Sequence, residues 1–219
     1  MQIIYLFGFA SGPLSDKTQF FKEKFSSKRI EFQIYDYQPT PNAFSNMRVS
    51  HLVKNLHNYI SINFPEEKVS LFGSSFGGLL VTLYTHLYPE RVDRLFLIAP
   101  ALQFTAEFIS QTLNAPFSQW EEDGETPVEH YRFNGNIPLK FSFLKDLKEN
   151  PVPKFSLTNF PVKTMIFHGE EDEVVPSIWS VNFGQLNSKV KTHILNGDHQ
   201  LSDQKLKIWN IIETELKLK

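Results

Sequence analysis

Six short apolar runs, set apart by turn signals, constrain this chain more than any other feature. They are IIYLF (3–7), EFQIYDY (31–37), KVSLF (68–72), RLFLIAPA (94–101), VKTMIFHG (162–169) and VKTHIL (190–195). Most are continuously apolar rather than alternating, so each needs cover on two sides. Helical patterns lie between them. One starts at Ser15 as N-cap, with Phe20, Phe21 and Phe25 on one face. A second, over 47–62, spaces Met47, Leu52, Leu56, Tyr59 and Ile60 at helical intervals. A third runs over 76–88 and stops at Pro89, and a fourth over 203–217 carries Leu206, Trp209, Ile212 and Leu216. The alternation predicts an α/β fold: a mainly parallel six-stranded sheet with helices on both faces.

Residues 102–161 interrupt the pattern. The stretch is polar and aromatic, holds several prolines and the run EEDGE (121–125), and is too long for a simple connection. Two alternating runs, VEHYRF and IPLKFSF, flank Asn134-Gly135 and predict a β-hairpin. We expect residues 1–101 and 162–219 to form one core, with 102–161 inserted as a lid over one end of the sheet. The lid carries Phe104, Phe108, Phe117, Trp120, Tyr131, Phe133, Phe141 and Phe143. Two readings of these aromatics stand: an apolar wall for a substrate, or packing within the lid itself.

The 219 residues suit one domain with an insertion, and a net charge of −2 leaves no basic stripe for nucleic acid. The chain has no cysteine, which removes disulfides, thiolate chemistry and zinc–sulfur sites. The first apolar run is too short to span a bilayer and follows no positive segment, so a cytoplasmic protein is expected. No H-E-x-x-H pair or comparable cluster points to a metal, and no cofactor is expected.

Gly73-Ser74-Ser75-Phe76-Gly77 reads as G-x-S-x-G, placed after a predicted strand and before a predicted helix. That context is what a nucleophile elbow requires. A serine at the centre of so tight a turn projects its hydroxyl above the sheet edge. The flanking positions approach each other closely and admit only glycine-sized residues. The new helix aims unpaired N–H groups at the same point. Ser75 is therefore the candidate nucleophile, and Ser74 is expected to pack or to hydrogen-bond within the turn.

Serine needs a base, and the base needs an orienting acid. Two turns after later strands supply them: FHGEEDEVVP (167–176) and NGDHQL (196–201). Asp172 is assigned as the acid and His199 as the base, against Glu170, Glu171, Glu173 and Asp198 as neighbouring carboxylates. His168 and His193 lie within strands and are read as packed side chains. His51, His57, His86 and His130 default to surface or core roles. An oxyanion needs two backbone donors. The N–H of Phe76 follows the nucleophile, and the loop GFASG after the first strand offers Phe9, with Ala10 beside it.

Together these pieces resemble the α/β-hydrolase fold, and more closely the small bacterial YqiA/YcfP-type esterases and their relatives. The matching stretches are IYLFGFASGPLSDK (4–17), LFGSSFGG (71–78), LIAPA (97–101), FHGEEDEVVP (167–176) and GDH (197–199). The insertion resembles the hairpin lid of that family through VEHYRFNGNIPLKFSFLKDL (128–147). The resemblance implies Ser75, Asp172 and His199 as a catalytic triad and hydrolysis of carboxylic ester or thioester bonds. One departure stands out: the family usually has His-Gly after the first strand, and this chain has Phe7-Gly8.

The expected function is thus a serine hydrolase acting on a small ester or thioester through an acyl-enzyme. The alternatives are a non-catalytic ligand-binding protein on the same fold, or an acyltransferase or peptidase using the same three residues. Folds do not fix functions. Serine at position 75 argues against a dehalogenase, which would place a carboxylate there.

Overall fold

A computed structural model of the chain describes residues 1–153 and 160–218. Its strands are β1 (Gln2–Leu6), β2 (Glu31–Ile34), β3 (Val69–Ser74), β4 (Val92–Ile98), β5 (Glu125–His130), β6 (Gly135–Lys140), β7 (Lys163–Gly169) and β8 (Val190–Leu195). Six of them form one sheet in the order β2-β1-β3-β4-β7-β8, and every neighbouring pair is parallel. β5 and β6 pair with each other alone, antiparallel.

The helices are α1 (Asp16–Ser27), α2 (Pro41–Ser45), α3 (Val49–Asn63), α4 (Phe76–Leu87), α5 (Ala106–Thr112), α6 (Phe117–Asp123), α7 (Ser142–Glu149), α8 (Ile178–Leu186) and α9 (Lys205–Leu216). Ser15 caps α1 by accepting the amide of Thr18, and Thr40 caps α2 by accepting that of Ala43. Helix α3 has no side-chain cap of its own. Asp146 of α7 supplies one from a distance, accepting the Ser50 amide at 3.0 Å and the Ser50 hydroxyl. The segment between β4 and β7 is thereby fastened to the α3 side of the core.

β3 lies inside the sheet, and all six of its residues are buried. Phe72 is the hub of one face. Its ring meets Tyr5 at 5.2 Å, Phe21 of α1 at 4.9 Å and Phe96 of β4 at 5.7 Å. Phe25 of α1 meets Trp209 of α9 edge-on at 4.9 Å, which fixes those two helices side by side. Burying each such ring stabilises the fold by about 1.5–3 kcal/mol, and each favourable ring pair adds about 0.5–1.5 kcal/mol. α3 and α4 pack against one another, and α4 against β3.

Several elements differ from their sequence reading. β2 stops at Ile34, and Tyr35 to Tyr37 leave the sheet. Leu206 does not join the apolar face of the last helix. It is 56% exposed, and Ile208, Trp209 and Ile212 carry the contact. The hairpin pairs Glu125–His130 with Gly135–Lys140, so Tyr131 and Phe133 fall in its turn, Phe141 is the N-cap of α7 and Phe143 lies within that helix. α8 has no counterpart in the sequence reading, because it buries only Ser180 and Phe183 and carries Gly184 inside. Residues 154–159 of the expected lid lie outside the described residues.

Candidate active site

Ser75 stands between β3 and α4 with φ 52° and ψ −117°, a strained backbone for a residue with a side chain. Two contacts enforce it. A β-carbon on Gly73 would lie 2.5 Å from the Gly77 carbonyl oxygen, and one on Gly77 would lie 2.2 Å from that of Leu6. The backbone of Ser75 is fixed on both sides: its amide donates to the Ile98 carbonyl at 2.8 Å, and its carbonyl accepts from Leu79 and Ala101. Ser75 occupies the N-cap of α4 yet makes no capping bond with its side chain. Its hydroxyl is left for another partner.

That partner is His199, whose Nε2 lies 3.0 Å from Ser75 Oγ. The other ring nitrogen, Nδ1, lies 2.7 Å from Asp172 Oδ2. An ionised carboxylate only accepts, so Nδ1 carries the proton and Nε2 is free to accept from the Ser75 hydroxyl. Asp172 is held on its second oxygen as well: Oδ1 accepts the amides of Val174 at 2.9 Å and Val175 at 2.8 Å. Burial alone would raise the pKa of this carboxyl. The hydrogen bonds from His168, His199 and the Val175 amide outweigh it and hold Asp172 well below the usual carboxylate range. The two loops carrying these residues are joined by backbone bonds, Glu170 to Leu195 at 2.8 Å and Glu171 to Gly197 at 3.0 Å.

The neighbouring candidates are placed elsewhere. Asp198 turns back on its own loop, accepting the amides of Gln200 and Leu201, each at 3.0 Å. Glu170, Glu171 and Glu173 remain largely in solvent. His57 stacks on Tyr88, His193 stacks on Phe167, and His130 is buried between Phe44 and Phe133.

The loop after β1 borders the serine: a β-carbon on Gly8 would lie 3.5 Å from Ser75 Cβ. Its carbonyls are taken one after another. Tyr37 donates its hydroxyl to Phe7 and Gly8 oxygens, each at 2.9 Å, and Gln38 donates to Ser11 at 3.1 Å. The amide of Tyr131, at the hairpin turn, donates to the Ala10 carbonyl at 3.1 Å. Arg132 adds an ion pair to Asp36 at 2.7 Å and a bond to the Gln38 carbonyl at 3.2 Å. The carbonyls of Phe7, Gly8, Ala10 and Ser11 are thus taken up within the protein. Among the described residues, neither Phe9 nor Phe76 donates its amide to an acceptor.

Of the aromatics between β4 and β7, Phe104 and Phe143 are buried against Phe76, at 5.1 and 6.2 Å between rings. Trp120 is buried and donates to the Leu139 carbonyl, whereas Tyr131 is 73% exposed. Phe108 and Trp179 are half-buried and meet edge-on at 5.0 Å, joining α5 to α8.

Two residues at the site escaped the sequence reading as more than bystanders. His168 reaches Asp172 as well as being packed, and the spacing His168-x-x-x-Asp172 was the available signal. Lys17 donates to Ser74 Oγ at 3.3 Å, directly behind the elbow. Burial pushes its amine down to about 8, against the opposing pull of Asp198 and Asp172. Among the described residues, no group of three or more His, Asp or Glu could hold a metal ion, and no helix is long and apolar enough to cross a membrane.

A parallel sheet in this strand order, with an elbow after β3 and carboxylate and imidazole loops after β7 and β8, is the α/β-hydrolase fold. Within it, the chain belongs to the uncharacterised protein family UPF0227, whose profile matches residues 2–215. Solved structures agree on the fold. Alpha/beta hydrolase domain-containing protein 10 from mouse superposes with a TM-score of 0.76 at 25% identity, covering 100% of this chain and 90% of that one. Est1E from Butyrivibrio proteoclasticus, solved with ferulic acid bound, gives 0.83 at 18% identity, covering 99% and 88%. A structure from the metagenome-derived lipolytic enzymes LipS and LipT gives 0.74 at 17% identity, covering 99% and 93%. No curated protein matches the chain in sequence.

Proposed function

We propose that this protein is a serine hydrolase cleaving a carboxylic ester or thioester of a small molecule. One observation carries the reading: the unbroken sequence Ser75 Oγ, His199, Asp172, at 3.0 and 2.7 Å, beginning at a strained elbow. The chemistry follows from it. Ser75 Oγ attacks the carbonyl carbon as His199 Nε2 takes its proton, and Asp172 stabilises the imidazolium. The tetrahedral oxyanion lies toward the amides of Phe76 and Phe9. His199 then gives its proton to the departing alkoxide or thiolate. Water, deprotonated by the same imidazole, releases the acid and restores Ser75. Neither metal nor cofactor enters this scheme.

The fold neighbours support the reading, since one comes from lipolytic enzymes and another, Est1E, binds ferulic acid. In the same proposal, residues 102–161 act as a lid, and its half-buried Phe108 forms a substrate-facing wall together with Trp179 of α8. The cysteine-free chain suits a cytoplasmic enzyme. A fluorophosphonate probe tests the proposal. It is expected to label Ser75, and Ser75→Ala to abolish labelling and cut ester turnover by about 10³-fold or more. Labelling that survives Ser75→Ala would reject the nucleophile, and an unlabelled wild type would favour a ligand-binding role. p-Nitrophenyl esters and acyl-CoA thioesters of graded length then separate ester from thioester preference.

A further inference from the structure

We infer that His168 is a positioning residue for the acid of the site: it holds the Asp172 carboxylate in place for His199 and shares its oxygen. The inference rests on the proposed hydrolase reading. His168 is the penultimate residue of β7 and is fully buried, as is the Asp172 side chain. Its Nε2 lies 3.0 Å from Asp172 Oδ2, the same oxygen that accepts from His199 Nδ1 at 2.7 Å. The same Nε2 lies 2.9 Å from the Val175 carbonyl. Its Nδ1 lies 2.7 Å from Ser180 Oγ on α8.

These partners fix the proton. The Val175 carbonyl and the Asp172 carboxylate only accept, so Nε2 of His168 must carry a hydrogen. In the neutral ring Nδ1 is then an acceptor, and the Ser180 hydroxyl donates to it. The ring is a wedge of defined polarity between β7, α8 and the acid loop. Without it, Oδ2 would keep a single imidazole partner, and the carboxylate could rotate about its side-chain bond. With it, Oδ2 faces two donors and Oδ1 faces the amides of Val174 and Val175. The Lys17 ammonium from α1 also interacts with Asp172 through space.

Three variants test this: His168→Leu, His168→Gln and Ser180→Ala, each read by kcat, KM and the pH dependence of kcat/KM, with thermal melts alongside. Losing one hydrogen bond to a charged group corresponds to a fall of about 10- to 100-fold, expected here in kcat of His168→Leu. KM should not change, since the ring does not meet substrate. Relieved of one donor, Asp172 holds the imidazolium of His199 more strongly, so the acidic limb should move to higher pH. His168→Gln, whose amide can donate from the Nε2 position, should recover part of both effects. A folded His168→Leu with wild-type kcat and wild-type acidic limb would overturn the inference.

Ring 15N NMR of the wild type adds a test that needs neither activity nor a folded Leu variant. His168 should show the neutral Nε2–H tautomer, loosened by Ser180→Ala; an Nδ1–H tautomer in the wild type would overturn the inference. Fluorophosphonate labelling of wild type at Ser75 is scored separately, so failure of the hydrolase reading and failure of the His168 role give different results.

Discussion

Asp172 and Asp198 sit on facing loops, and only one of them touches His199. Replacing Asp172 by Asn keeps the shape but lets the imidazole adopt the opposite tautomer, with Nε2 protonated and useless as a base. Turnover of p-nitrophenyl acetate should fall by about 10⁴-fold. Asp198→Ala instead removes an acceptor for the Gln200 and Leu201 amides. It should cost about 1 kcal/mol of stability and leave turnover within a few-fold of wild type. Steady-state kinetics with melting curves separate the two, and an inactive Asp198→Ala beside an active Asp172→Asn would exchange the roles. That Ser75, Asp172 and His199 would come together as the proposed triad was legible in the sequence because each follows an apolar strand in a turn rich in Gly or acidic residues. The role of His168 was not. A buried imidazole at a strand end looks like any packed histidine until the following loop folds back and lays a carboxylate on it.

At the scale of elements, the hairpin β5–β6 is joined to the loop after β1. The Tyr131 amide reaches Ala10, and Arg132 reaches Asp36 and the Gln38 carbonyl. The Arg132–Asp36 pair is about one quarter exposed, 28% and 26%, so its own coupling should be modest, about 0.5–1 kcal/mol in a double-mutant cycle. Its effect on turnover should be larger. Arg132→Ala is expected to lower kcat several-fold and to weaken a boronic acid that mimics the tetrahedral intermediate, while the melting temperature moves by only a few degrees. Equal losses of boronate and ground-state binding would refute a role in shaping the oxyanion loop. The hairpin itself could be read from Asn134-Gly135, because such a pair accepts the positive φ of a tight turn, and Asn134 has φ 51°. Its ends could not, since Tyr131, Phe133, Phe141 and Phe143 continue the alternation that the backbone abandons. α8 was hidden for the opposite reason: it is an outer helix on the last strands, with little apolar stripe to announce it. The six core strands were plain because a sheet covered on both faces leaves few polar residues in its interior.

For the molecule as a whole, two buried groups set the acid limit of stability. Burial, then the nearby Arg132, pushes His130 down to about 4. Its folded value lies below the ordinary imidazole range, so the unfolded chain binds the proton first. The contribution is complete above about pH 6.5 and is lost as pH falls toward 4, by about 3 kcal/mol. Asp172, held low, adds a second loss as pH falls through and below the ordinary carboxylate range. Urea unfolding at pH 7, 5 and 4 should show falling stability, and His130→Leu should flatten the first step but not the second. A His130→Leu protein with an unchanged pH profile would remove His130 from this account. The strand order carries a further consequence. β8 is an outer strand with mostly half-exposed or exposed residues, and His199 hangs from its end, whereas Ser75 hangs from fully buried β3. The proposed base therefore belongs to an edge of the sheet, which opens more readily than its interior, and the nucleophile to that interior. Inactivation should precede denaturation: in rising urea, fluorophosphonate labelling of Ser75 should fade while circular dichroism still reports an intact sheet, and β8 amides should exchange with deuterium before those of β3.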